Sequence, residues 1–176
     1  RIAWAAYGFA LTVIVIDQIT KAMVLDALHM LTPGGAQIDR EMWGFRSIPV
    51  WPPVFSLSFV LNDGVSFGLF GGGAGRWILS VFSVGVAGVL AVWATRTDRR
   101  LLVTAIGLVM GGALGNVIDR IRFGGVVDFL DFSGTGLFPW IFNVADGAIT
   151  VGVILLALDA FLQERAAKVG AAHEKS

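Results

Sequence analysis

Apolar residues are gathered along the chain into four long runs, separated by polar or glycine-rich breaks. A bilayer core takes roughly 20 mostly apolar helical residues to cross. Segments at about 2–25, 77–95, 101–118 and 141–161 approach or exceed that length and predict four spanning helices. The first is interrupted by Asp17 and Lys21. The second and third carry no charge, and the fourth has Asp146 near its start and Asp159 near its end. The run Ile2–Ile16 continues through Asp17 to Leu25 without a small-residue cleavage pattern, so it is expected to be a retained span, not a removable leader.

Between the first two runs the period changes. After Pro52-Pro53, residues Val54–Leu61 alternate apolar with small polar side chains, which predicts a short β-segment in the long connection 26–76. Trp43, Phe45, Trp51 and Phe55 suit a membrane interface, and Gly71-Gly72-Gly73 makes a flexible join to the second span. The expected organisation is one four-helix membrane domain over residues 1–165, with a solvated tail over 166–176. Gly107, Gly111 and Gly115 repeat every four residues on the third run, a ridge that admits close approach of a neighbouring helix.

The short loop Arg96-Thr97-Asp98-Arg99-Arg100 holds three arginines, and the tail adds Arg165, Lys168 and Lys175. Basic residues in short loops mark the cytoplasmic side. Both termini are therefore expected in the cytoplasm, with connections 26–76 and 119–140 facing outward.

Composition narrows the functional classes. Hydrophobic residues make up 56% of the chain and charged residues 15%, against about 25% charged in soluble domains. Formal net charge is zero, which argues against a nucleic-acid partner. Cysteine is absent, so thiol chemistry is excluded, and His29 and His173 are too few and too far apart for a histidine-based zinc site. No metal and no cofactor is expected.

Ionisable groups within spans are costly and need a reason. The first span runs outward and carries Asp17 and Lys21 near its outer end. The third ends outward at Asn116, Asp119 and Arg120. The fourth begins there with Asn143 and Asp146, and Asp128 lies in the connection between them. Asp17 and Lys21 are i,i+4, as are Asn116 and Arg120, while Asn143 and Asp146 are i,i+3, so each segment points a pair in one direction. Separate segments thus deliver polar groups to one depth, near the outer boundary.

Two carboxylates brought together there cannot both ionise cheaply; one stays protonated beside its charged partner. Such a pair can take a proton from water and give one to a scissile carbonyl, which is general acid–base hydrolysis of an amide. Spacing does not separate Asp119 from Asp128 as one member. Asp119 beside Arg120 also fits an ion pair or helix-end hydrogen bond, and Asp17–Lys21 fits an intramembrane ion pair. The main alternative function is a proton-coupled transporter using the same Asp, Asn and Arg groups. A Ser–Lys peptidase with Ser58 or Ser66 and Lys21 is a further one. Asp63 and Ser66 are given no role.

Five blocks resemble the lipoprotein signal peptidase (signal peptidase II) family, the aspartic intramembrane peptidases. They are Asp17-Gln18-Ile19-Thr20-Lys21; Asn62-Asp63-Gly64-Val65-Ser66-Phe67-Gly68; Gly111–Arg120, reading GGALGNVIDR; Val126-Val127-Asp128-Phe129; and Phe142-Asn143-Val144-Ala145-Asp146. They fall in the family's order across residues 17–146. The resemblance implies an all-α membrane fold of four transmembrane helices, with a small outward β-cradle and an interfacial helix in the first outer loop. It implies a bacterial inner-membrane enzyme that cleaves prolipoproteins just before a diacylglyceryl-modified cysteine. Asp128 and Asp146 would be the catalytic dyad, supported by Asn116, Arg120 and Asn143, with Asn62, Gly64, Asp17 and Lys21 shaping the site. The implied partners are diacylglyceryl prolipoproteins, membrane lipids and globomycin-like inhibitors lying between the aspartates. A monomer is expected.

Overall fold

The computed structural model describes residues 2–31, 38, 46–64 and 74–173. Four helices dominate it: α1 (Ala3–Ala27), α2 (Ala74–Ala94), α3 (Arg100–Phe123) and α4 (Val144–His173). All four are long and apolar enough to cross a membrane. The helix α4 continues past the predicted end of its span into the segment read as a tail.

The face that α1 turns inward is small or polar. Ala3, Ala6, Ala10, Val13, Asp17, Lys21 and Val24 are buried at three- and four-residue steps, one stripe of a 3.6-residue period. Trp4, Phe9, Leu11, Val15, Ile16, Ile19 and Met23 stay exposed. Large apolar groups outside and small ones inside is the arrangement expected when lipid is the solvent, because small residues let backbones approach.

Helix α3 is the centre and packs against α1, α2 and α4. Its glycine ridge explains the closeness. A Cβ at Gly107 would lie 2.7 Å from the Ala6 carbonyl oxygen, and one at Gly111 would lie 2.6 Å from that of Ala10. Gly112 faces the other way, where a Cβ would come within 2.7 Å of Ile149 Cγ1 on α4. Ala6, Ala10, Ala87, Leu90, Leu102, Ile106 and Met110 fill the space between the spans.

The predicted alternation at 54–61 is strand β2 (Phe55–Asn62). It belongs to a four-stranded antiparallel sheet ordered β1-β2-β3-β4, with β1 (Ser47–Trp51), β3 (Val126–Asp131) and β4 (Ile141–Phe142). Two of its strands come from the connection between α3 and α4, not from the first outer loop. The sequence pattern did not reveal them. Strand β3 is buried on almost every residue, so it lacks alternation; β4 has two residues; β1 is an exposed edge carrying Pro49, a place where proline is tolerated. The implied interfacial helix lies outside the described residues, as do Trp43, Phe45, Ser66 and Gly71-Gly72-Gly73.

Helix α3 stops at Gly124, whose φ of 85° is left-handed and whose N–H donates to the Arg120 carbonyl at 3.2 Å. The chain then turns straight into β3. Register pairs Val60 with Asp128, Leu61 with Val127 and Asn62 with Val126. Side chains alternate across a sheet. Val127 and Phe129 therefore enter a second core with Val24, Leu25, Leu28, Met30, Phe59 and Phe123, while Asp128 faces the opposite side with Asn62.

Candidate active site

The polar residues from the sheet-side ends of α1, α3 and α4 meet those of β2 and β3 in one hydrogen-bonded cluster. Asn143 immediately precedes α4 and acts as its cap: its Oδ1 accepts the Asp146 N–H at 2.9 Å, as asparagine does at a helix start. That fixes its amide the right way round for its Nδ2 to donate to Asp128 Oδ1 at 2.7 Å and to Asn116 Oδ1 at 3.3 Å. Asn116 Nδ2 in turn donates to Asp146 Oδ1 at 2.8 Å. Asp128 and Asp146 are thus joined by a bridge of two asparagine side chains.

The second oxygen of Asp128 accepts from Asn62 Nδ2 at 3.1 Å. The orientation of Asn62 is set by Gly64, whose N–H donates to Asn62 Oδ1 at 2.9 Å. Gly64 has φ 75°, in the left-handed region, and a Cβ there would strike Leu79. Glycine is needed at this turn on both counts.

Lys21 is buried, yet its ammonium is fully engaged. Nζ lies 2.8 Å from Asp17 Oδ2, 2.7 Å from Asp119 Oδ2 and 3.2 Å from Asn116 Oδ1. Asp17 and Asp119 have no exposed surface. Each carboxylate also holds a backbone N–H: Asp17 Oδ1 accepts from Ala145 at 2.9 Å and Asp119 Oδ2 from Val127 at 3.0 Å. Gln18 Nε2 closes the group, donating to Asp119 Oδ1 at 2.8 Å and to Asp17 Oδ2 at 3.2 Å.

Arg120 stands in the fields of Asp146, Asp119 and Asp128, with its Nε buried and lacking a hydrogen-bond partner among the described residues. Four carboxylates, Asp17, Asp119, Asp128 and Asp146, therefore face two cations, Lys21 and Arg120. That imbalance favours keeping a proton in the cluster. Asp128 is pushed up to about 6, first by burial and then by the charge of Asp146, against the lowering effect of hydrogen bonds from Asn62 and Asn143.

The structure brings Asp17, Lys21, Asn62, Gly64, Asn116, Asp128, Asn143 and Asp146 into one bonded group, with Arg120 at its border. The Asp17–Lys21 ion pair forms at the expected i,i+4 spacing. Asp119 pairs with Lys21, not with its neighbour Arg120. Gln18 was given no part; its only signal was its place inside the first block. Ser58 does not approach Lys21 as a hydrolytic pair. Its hydroxyl is 2.6 Å from Asp131 Oδ2 and 2.9 Å from Ser47 Oγ, which ties β1, β2 and β3 together. No group of three or more histidine or acidic residues suited to a metal occurs among the described residues.

Comparison with known proteins agrees along nearly the whole chain. A family described as signal peptidase (SPase) II matches residues 9–162. The lipoprotein signal peptidase of Caulobacter vibrioides is 45% identical over 166 residues, 93% of this chain and 90% of its own length. That of Pseudomonas putida is 40% identical over 171 residues, covering 94% and 90%. Two solved structures described as a bacterial membrane enzyme align at TM-scores of 0.70 and 0.71. The first is 29% identical and covers 93% of this chain and 91% of its own; the second is 27% identical and covers 89% and 92%.

Proposed function

The chain belongs to the signal peptidase II family, and we propose that it removes signal peptides from prolipoproteins as an aspartic peptidase, with Asp128 and Asp146 as its dyad. Cleavage falls just before the diacylglyceryl-modified cysteine. The protein is a multi-pass bacterial membrane protein. Both termini lie in the cytoplasm, beside Arg96, Arg99 and Arg100, and the dyad lies near the outer leaflet of the inner membrane. Globomycin-like peptides would compete for the space between the aspartates, and the monomer would be sufficient.

The observation that carries this reading is the double asparagine bridge from Asp128 through Asn143 and Asn116 to Asp146. Both amide nitrogens donate toward carboxylates, each to a single oxygen of its aspartate, which fixes how the two carboxyl groups face each other. The pair holds one proton. The ionised carboxylate takes a proton from water as the water oxygen adds to the scissile carbonyl carbon, while the neutral carboxyl gives its proton to the carbonyl oxygen. The carboxyl that took the water proton then passes it to the amide nitrogen, a hydroxyl proton of the tetrahedral species returns to the other carboxylate, and the C–N bond breaks. Which aspartate holds the proton is a property of the pair. Arg120 steadies the negative charge of the cluster. Asn62 and Gly64 aim Asp128, and Asp17 and Lys21 shape the ground beneath.

Full-length protein in detergent should cleave a diacylglyceryl prolipoprotein with no added metal or nucleotide. Asp128→Asn and Asp146→Asn should each cost at least about a hundredfold in kcat with folding intact, the scale of a lost acid–base group. Loss of activity in Asp119→Asn but not in Asp128→Asn would overturn the assignment. A transporter would instead move protons across vesicles and yield no peptide product. Because burial and the charge of Asp146 push Asp128 up to about 6, the pair should lose its shared proton as pH rises through that region and kcat should fall with it, read from a pH–rate profile. A profile flat from pH 4 to 9 would contradict a shared proton.

A further inference from the structure

Two contacts of the buried ion cluster repeat one geometry. The backbone N–H one residue before Asp146, that of Ala145, is held by Asp17 at 2.9 Å. The backbone N–H one residue before Asp128, that of Val127, is held by Asp119 at 3.0 Å. Both carboxylates are bound to the same Lys21 ammonium, at 2.8 and 2.7 Å, and to the same Gln18 amide, at 3.2 and 2.8 Å. The two elements that carry the reacting aspartates are a strand and a helix from opposite ends of one connection.

We propose that Asp119 is a positioning residue for Asp128, and that Lys21 and Gln18 lock it to Asp17 so that one rigid clamp sets the separation of Asp128 from Asp146. This rests on the dyad reading above. Physical necessity points the same way. A carboxylate and an ammonium buried to this degree are costly unless every lone pair and proton is used. Here Asp17 gives Oδ2 to Lys21 and Gln18 and Oδ1 to the Ala145 N–H, while Asp119 gives Oδ1 to Gln18 and shares Oδ2 between Lys21 and the Val127 N–H. A chain that needed only charge balance on α1 could stop at Asp17 and Lys21.

Misplacement of reacting groups by about 1 Å costs on the order of a hundredfold in rate, so loosening the clamp should act on turnover and not on substrate affinity. It should also weaken the repulsion between the two reacting carboxylates, so that the second proton leaves more easily. The alkaline limb of the kcat profile then moves to lower pH. The charged groups facing the pair are Arg120, Lys21, Asp17 and Asp119, from α1 and α3. Changing Asp119 alters this charge set directly, whereas replacing the neutral Gln18 does not.

The test is kcat, KM, pH–rate profile and thermal unfolding of full-length Asp119→Asn and Gln18→Leu in detergent, with Asp128→Asn and Asp146→Asn alongside. Asp119→Asn should lower kcat about 10- to 100-fold, the range for lost supporting contacts, with KM unchanged. Gln18→Leu should lower it less and still move the alkaline limb down. Lower stability with kcat and pH profile unchanged per folded molecule would make the cluster purely structural and overturn the proposal. So would loss of activity in Asp119→Asn to the floor of Asp146→Asn, which would put Asp119 among the reacting groups. If Asp119→Asn does not fold, Gln18→Leu decides alone. An active Asp128→Asn would fail the dyad reading whatever the Gln18 result.

Discussion

Each end of the helix bundle holds a buried aspartate paired with a cation, yet the two pairs are built differently. At the end away from the sheet Arg99, just before α3, sits 2.6 Å from Asp159 of α4, with the arginine 39% exposed. About 30 Å away along α3, at 1.5 Å per residue, Lys21 is 2% exposed and meets two carboxylates and an asparagine. The Arg99–Asp159 pair closes two helices together and leaves its cation partly exposed. The Lys21 group has no such outlet, and its carboxylates also accept from the backbone N–H groups next to Asp128 and Asp146. A partly exposed pair balances charge, while a fully enclosed one dictates geometry.

Three variants sharpen the contrast. Lys21→Met should be the most damaging. It leaves Asp17 and Asp119 enclosed without a cation, a loss of about 3–5 kcal/mol, read as the fall in unfolding free energy in detergent. Gly112→Ala probes the packing between the two ends. Its Cβ would crowd Ile149 and the α4 backbone, for about 1–3 kcal/mol of overpacking, with α4 pushed from α3 and cleavage slowed. The double change Arg99→Gln with Asp159→Asn should matter least, under about 1 kcal/mol and with kcat unchanged. If this double variant were as costly as Lys21→Met, the distinction between the ends would collapse.

The same contrast explains what was legible in the sequence. Spans declare themselves by unbroken apolarity, and the runs 77–95 and 101–118 that became α2 and α3 carry no charge at all. The clustering of Asp17, Lys21, Asn116, Asn143 and Asp146 at one depth followed from helix direction and i,i+4 spacing. The strand that carries Asp128 did not show itself, because a short segment buried on both faces has no period to read. Nor did the partner of Asp119, since a contact from residue 21 to residue 119 has no local signature and the adjacent Arg120 offered a nearer one. Gln18 was hidden for a like reason: an uncharged side chain beside two charged ones attracts no attention until its amide is seen spanning both carboxylates.

The direction of the two bridging amides has a practical consequence. On Asn116 and Asn143 the oxygen end meets an ammonium or N–H donors, and the nitrogen end meets a carboxylate. Aspartate has nearly the same volume as asparagine, yet at either position it would turn a donor into an acceptor and set oxygen against oxygen. Whoever picks replacements here by size alone will choose the worst-tolerated residue first, because these two positions are selected by polarity and not by shape.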